Sequence, residues 1–237
     1  MTVENKVAII TGATGGLGKA VTHAFLENGA RVATLASREA SLKGLKEQLS
    51  SSKGDYFAIA TNLLDESSVK SMVEQVLDKY DRIDCLINLV GGFLGGVSIS
   101  ETSGEQWDNM FNLNLKSAFL CCKHVLPVMK KQKSGSIVNI GSKGGIKAVA
   151  GMSAYSASKA GVINLTEALA AEGRDDNITA NVVVPSIIDT PANRQAMPNA
   201  DFENWVTPET IASTILFFCS DHARDISGSV VPVYGKA

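Results

Sequence analysis

Val7–Gly29 reads VAIITGATGGLGKAVTHAFLENG. Val7 to Thr11 is a short apolar run that stops at a glycine, the pattern of a strand buried on both faces of a parallel sheet. Gly12-Ala13-Thr14-Gly15-Gly16-Leu17-Gly18 follows. Beyond it Ala20, Val21, Ala24, Phe25 and Leu26 recur at helical spacing, and Asn28-Gly29 ends the pattern. Strand, glycine loop and helix, in that order, let backbone N–H groups approach a pyrophosphate while the helix N-terminus favours its negative charge. One glycine loop is weak evidence, since many strand-to-helix turns are rich in glycine. Its context raises it.

The alternation continues. Arg31–Ala36 reads as a second strand and Leu42–Leu49 as an amphipathic helix, followed by a loop over Ser50-Ser51-Ser52-Lys53-Gly54. Asp55–Thr61 is a third strand. Asp65-Glu66-Ser67-Ser68 caps a helix running to about Tyr80. Cys85–Val90 is a fourth strand, closed by the glycine-rich loop Gly91–Gly96. Glu105–Lys131 reads as one long helix, Ser136–Ile140 as a fifth strand and Ser153–Gly173 as another helix. Thr179–Val184 is a sixth strand, ended by Pro185. A loop of about 20 residues leads to a helix opened by Thr207-Pro208-Glu209, and Val230–Val233 is the last strand. Strands alternating with helices predict a doubly wound α/β fold, one parallel sheet with helices on both faces. No repeat or linker divides the 237 residues, which suit a single domain. Ligands of such sheets sit at the carboxyl ends of the strands. Gly12, Arg38, Gly91, Ser142 and Pro185 all fall there.

Ser142–Lys159 reads SKGGIKAVAGMSAYSASK. Tyr155 and Lys159 stand four apart, on one face of a helix. An ammonium beside a phenol favours the phenolate, so Lys159 is expected to lower the Tyr155 pKa from its usual value of about 10. A tyrosine so tuned suits general acid/base work. A lone pair at this spacing is more often a half-buried tyrosine beside a solvated lysine; here the surrounding pattern decides for chemistry.

The composition is that of an ordinary globular protein, 45% hydrophobic and 19% charged with a formal charge of −2, which gives no reason to expect a nucleic-acid partner. No apolar window is long enough for a membrane span, and the N-terminal MTVENKVAII is too weakly apolar for a signal peptide. Cys85, Cys121, Cys122 and Cys219 match no zinc spacing and are expected as buried free thiols in a reducing cytoplasm. His23, His124 and His222 are scattered, so no metal site is expected.

Taken together, Thr11-Gly12-x-x-x-Gly16-x-Gly18, Asn114 within NLNLKS, Ser142 and Tyr155-x-x-x-Lys159 resemble the short-chain dehydrogenase/reductase superfamily over nearly the whole chain. Ser142 stands thirteen positions before Tyr155, as in that family. The resemblance implies a Rossmann-type sheet in the order 3-2-1-4-5-6-7 and an NAD(P)-dependent oxidoreductase acting on a carbonyl or alcohol. It makes Tyr155 the proton donor or acceptor and Lys159 the residue that lowers its pKa and binds the nicotinamide ribose. Ser142 would orient the substrate oxygen, and Asn114 would help hold a proton-relay water. It further implies cofactor contacts at Gly12, Thr14, Gly15, Gly16, Leu17, Gly18, Ser37, Arg38, Asn62, Leu63, Asn88, Val90, Gly91, Pro185, Ile188 and Thr190, besides Tyr155 and Lys159. The two long helices would pair across a two-fold axis, giving a homotetramer or dimer.

Three positions depart from the family pattern. Asn88-Leu89-Val90-Gly91 replaces the usual Asn-Asn-Ala-Gly, Pro185-Ser186 replaces Pro-Gly, and Asn62 stands where an aspartate commonly meets the adenine. No carboxylate ends the second strand, where Ala36, Ser37 and Arg38 stand. A 2′-phosphate would meet no repulsion there and Arg38 could pair with it, so NADP is expected over NAD, although Glu39 adjoins. Val90–Gly96 and Asp189–Phe202 are also similar to dihydropteridine reductases, which makes C=N reduction the alternative activity. A non-catalytic sensor of nicotinamide redox state is the alternative of another class; it would have no need of Ser142, Tyr155 and Lys159 together.

Overall fold

A computed structural model describes residues 2–49 and 54–236. The loop expected at Ser50–Gly54 therefore lies, apart from Gly54, outside the described residues.

In chain order the elements are β1 (Val7–Ile10), α1 (Gly16–Glu27), β2 (Arg31–Ala36), α2 (Glu39–Leu49), β3 (Tyr56–Ala60), α3 (Glu66–Tyr80), β4 (Cys85–Asn88) and α4 (Gly104–Phe111). They continue as α5 (Ser117–Gln132), β5 (Gly135–Ile140), α6 (Lys143–Ile146), α7 (Ser153–Gly173), β6 (Ile178–Pro185), α8 (Pro191–Ala196), α9 (Pro208–Cys219) and β7 (Val230–Val233). The seven strands form one sheet in the order β3-β2-β1-β4-β5-β6-β7, all pairs parallel. Between β1 and β4 the order reverses direction, which opens a crevice at their carboxyl ends.

Helices cover both faces, and so the central strands carry no polar alternation. In β1, Val7 and Ile9 pack on the side of α3 and α5, whereas Ala8 and Ile10 pack on the side of α1 and α9. All four are fully buried; each isoleucine removed from water in this way contributes about 1.5–3 kcal/mol. The four cysteines are buried and free.

Two expectations need correction. The helix expected over Glu105–Lys131 is three segments: α4, a π-helical turn at Asn112–Lys116, and α5. A π turn inserts an extra residue into the helical ladder and shifts its hydrogen bonds. The 20-residue loop before Thr207 is also not bare. Thr190 caps α8 by accepting from Asn193 N at 3.2 Å, and Pro191 fills its first turn. Ile188 and Val206 then form a parallel bridge that closes the segment at its base.

Candidate active site

Gly12 has φ +64°, a left-handed conformation that only glycine adopts freely. It turns the chain out of β1, and α1 starts against that turn. A Cβ on Gly18 would lie 2.7 Å from the Ala13 Cα and 2.8 Å from the Gly12 carbonyl carbon, so the helix approaches its own loop as closely as glycine permits. The residue before α1 is Gly15, which offers no side chain to cap the first N–H groups. An uncapped helix N-terminus faces the crevice with the donors and partial positive charge that a phosphate needs. Opposite, the Thr190 Cγ2 lies 2.9 Å from where a Gly16 Cβ would stand.

Ser142 and Tyr155 meet at the end of β5. Ser142 is the cap of the short α6, and its Oγ accepts from Gly144 N at 3.2 Å. The hydroxyl proton remains available, and Ser142 is hydrogen-bonded to the Tyr155 side chain. Burial pushes the Tyr155 pKa up from its ordinary value, and the bond from Ser142 pulls it back. Lys159 is 5% exposed, and burial lowers its own pKa to about 8. The expectation that Lys159 lowers the Tyr155 pKa is thus corrected. The ammonium is held by the Ile140 carbonyl at 2.8 Å, and burial of the phenol outweighs the opposing bond from Ser142.

Asn114 sits at the middle of the π turn and is 2% exposed. Its Oδ1 accepts from Gly92 N at 2.8 Å, and its Nδ2 donates to Ser158 Oγ at 2.9 Å. Ser158 Oγ in turn donates to the Tyr155 carbonyl oxygen at 2.8 Å. A Cβ on Gly91 would stand 2.8 Å from Asn114 Oδ1 and 3.2 Å from Lys159 Nζ. Asn114 and Lys159 therefore converge on the same glycine, and the π turn is tied to the loop after β4 and to α7.

One cleft of about 320 Å³ gathers Gly12, Gly15, Gly16, Leu17, Gly18, Gly91, Ser142, Tyr155, Lys159, Pro185 and Ile188. The remaining expected contacts lie off this lining. The Asn88 amide is buried in the sheet, donating to Asn139 Oδ1 at 2.8 Å, so its side chain serves the β4–β5 pairing. Val90 packs its methyl against Gly12. Ser37 and Arg38 are exposed beyond β2. Asn62 closes a turn by accepting from Leu64 N at 3.1 Å, and Leu63 packs on the α3 side of the core. Thr14 is in the glycine loop, and Thr190 closes over Gly16. Sequence reasoning missed Leu89, Gly92, Ile140, Gly141 and Ser186 as cleft residues. Their only signal was position, each within two residues of a singled-out residue at a strand end. Phe93, also in the lining, shows in the sequence only as an apolar loop residue. Among the described residues no group of three or more His, Cys, Asp or Glu side chains could hold a metal ion.

The model of a family described as short chain dehydrogenase matches residues 6–201. The 3-oxoacyl-(acyl-carrier-protein) reductase FabG of Thermotoga maritima is 36% identical, over 99% of this chain and 98% of that protein. A 7alpha-hydroxysteroid dehydrogenase of Bacteroides fragilis is 34% identical, over 98% and 94%. The crystal structure of gox2181 superposes with a TM-score of 0.93 at 31% identity, covering 99% of this chain and 96% of that one. ElxO with NADP bound gives 0.92 at 28%, covering 98% of both. Glycine cradle, buried lysine and serine-bound tyrosine thus occur in a chain that belongs to the short-chain dehydrogenase family of oxidoreductases.

Proposed function

We propose that Tyr155, Ser142, Lys159 and Asn114 carry the chemistry of an NAD(P)-dependent interconversion of a carbonyl and an alcohol. The observation that carries this reading is the single cleft in which the Tyr155 phenol, Ser142 and Lys159 face the glycine loop. The bare glycines and the uncapped start of α1 fit a dinucleotide pyrophosphate. Gly12, Gly15, Gly16, Leu17 and Gly18 would hold it, with Gly91, Pro185, Ile188 and Thr190 around the nicotinamide half. The cofactor supplies or accepts the hydride.

The chain supplies the proton and the geometry. Tyr155 donates a proton to the carbonyl oxygen in reduction and takes it back in oxidation. The Ser142 hydroxyl, already anchored on Gly144 N, hydrogen-bonds the same oxygen and the phenolate in turn. Lys159 uses one ammonium donor on Ile140 and keeps two for the ribose hydroxyls. Asn114, fixed between Gly92 and Ser158, braces the loop beside Lys159 and leaves the π turn's displaced carbonyls to hold a relay water.

NADP is the preferred form, supported by Arg38, by the absence of a carboxylate at Ala36 and Ser37 where β2 ends, and by the NADP named for ElxO. The single sheet supports reading the 237 residues as one domain. The assembly is a homotetramer or dimer. Its support is an apolar groove of about 660 Å³ along α4–α5 and α7, lined by Phe111, Leu115, Phe119, Leu165 and Ala168. Four buried, unpaired thiols agree with the cytoplasm.

Tyr155→Phe tests the assignment. NADPH oxidation followed at 340 nm against a ketone panel should fall about 10²–10⁴-fold, with NADPH affinity within about twofold. Wild-type turnover in the variant would refute it.

A further inference from the structure

Phe93 is 67% exposed, yet it lines the cleft beside the reacting groups. Its ring centroid lies 5.0 Å from that of Tyr155, at an interplanar angle of 73°. The loop is built around this ring. A Cβ at Gly95 would come within 3.0 Å of the Phe93 Cε1, so the chain passes close over the ring. A second loop fixes the first: Val97 N donates to Gly151 O at 3.2 Å. The same Gly95 Cβ position is 3.5 Å from Met152 Cγ. Phe93 thus meets Tyr155 edge-on, with most of its surface open to solvent. A phenyl ring in water next to a general acid is unpartnered apolar surface at the point where a substrate carbonyl must arrive.

The charges of the cleft narrow the occupant further. Of the residues lining it, Tyr155 and Lys159 are the ionisable ones, and Lys159 is buried on Ile140. With Lys159 committed to Ile140 and, in the proposed complex, to the cofactor ribose, the lining leaves no free counter-ion for a substrate carboxylate or phosphate. Beside the loop that carries the ring stands Met152, which is uncharged.

We propose that Phe93 is the specificity-determining wall of this site and selects uncharged ketones whose carbonyl is attached to an aromatic ring. Aromatic pairs favour edge-to-face or offset contacts at 4.5–7 Å and gain more than their buried area alone gives. A substrate ring that continues the Phe93–Tyr155 edge contact places its carbonyl beside the Tyr155 hydroxyl. Met152, with its flexible thioether, can adjust to the outer edge of that ring. The inference rests on the reading of the cleft as a carbonyl-reducing site.

The test compares acetophenone with 2-butanone as probes, in NADPH-dependent reduction by the wild type, Phe93→Ala and Phe93→Tyr. The wild type should favour acetophenone. In Phe93→Ala the ratio of the two kcat/KM values should fall about tenfold, equal to about 1.4 kcal/mol. Phe93→Tyr, which keeps the ring, should restore it. A ratio unchanged in Phe93→Ala, or an equal loss on both ketones, overturns the selectivity role and leaves the carbonyl-reducing reading standing. The same holds if the wild type reduces 2-butanone but not acetophenone. A wild type that binds NADPH and reduces neither overturns both.

Discussion

Lys159→Met should make the protein inactive and more stable. Burial holds the Lys159 pKa at about 8, against an ordinary 10.5. At 1.36 kcal/mol per pKa unit, keeping that amine protonated in the fold costs ~3 kcal/mol near neutral pH. Below about pH 8 both folded and unfolded chains hold the proton, and the full cost stands. Between about 8 and 10.5 the unfolded chain binds the proton and the folded chain has lost it, so stability rises with pH across that window. Methionine is of similar length and carries no charge. It leaves the Ile140 carbonyl without its 2.8 Å partner, a loss of ~1–2 kcal/mol. The variant should therefore gain ~1–2 kcal/mol near pH 7, or ~2–8 °C in Tm for a chain of this length. Near pH 9 the wild-type cost has shrunk to ~2 kcal/mol, and the gain should shrink by ~1 kcal/mol with it. Urea unfolding of both proteins near pH 7 and pH 9, at one protein concentration, reads the two differences. A variant less stable than the wild type near pH 7, or a gain that grows with pH, would show that the ammonium is not held at a cost.

Three further outcomes are expected. Gly18→Ala puts a methyl group against the backbone of Gly12 and Ala13; thermal unfolding should show ~1–3 kcal/mol lost, and an unchanged Tm would mean that α1 does not press on its loop. Arg38→Ala should weaken NADPH binding and leave NADH nearly unchanged, from a wild-type preference of about tenfold or ~1.4 kcal/mol; fluorescence titration showing equal weakening of both, or tighter NADH binding by the wild type, would refute the phosphate role. Phe119→Glu places a charge in the α5–α7 groove and should shift sedimentation toward the 25.0 kDa protomer; a wild type already at that mass at micromolar concentration would refute the assembly.

The layout of the sheet was legible because each strand is short, apolar and ended by glycine, proline or a polar turn. Those breaks also mark the carboxyl ends where Gly12, Gly91, Ser142 and Pro185 gather. A period of four residues suffices to put Tyr155 and Lys159 on one face of α7. Spacing cannot weigh solvent against charge. The pairing with Lys159 suggested an acidified tyrosine, whereas the folded chain buries both groups, pushing the phenol up and the ammonium down. The π turn was equally invisible. In NLNLK the good helix formers Leu and Lys alternate with the weaker Asn, and nothing local in it demands an extra residue per turn. Its partners are tertiary: Asn114 is gripped by Gly92 on one side and Ser158 on the other. The same holds at Asn88. The motif makes it a cofactor contact, whereas the bond its amide donates to Asn139 on the neighbouring strand exists only once β4 and β5 are in register. Short-range chemistry was therefore written in the sequence wherever one element positions a residue, and hidden wherever two elements must meet before a side chain has its partner.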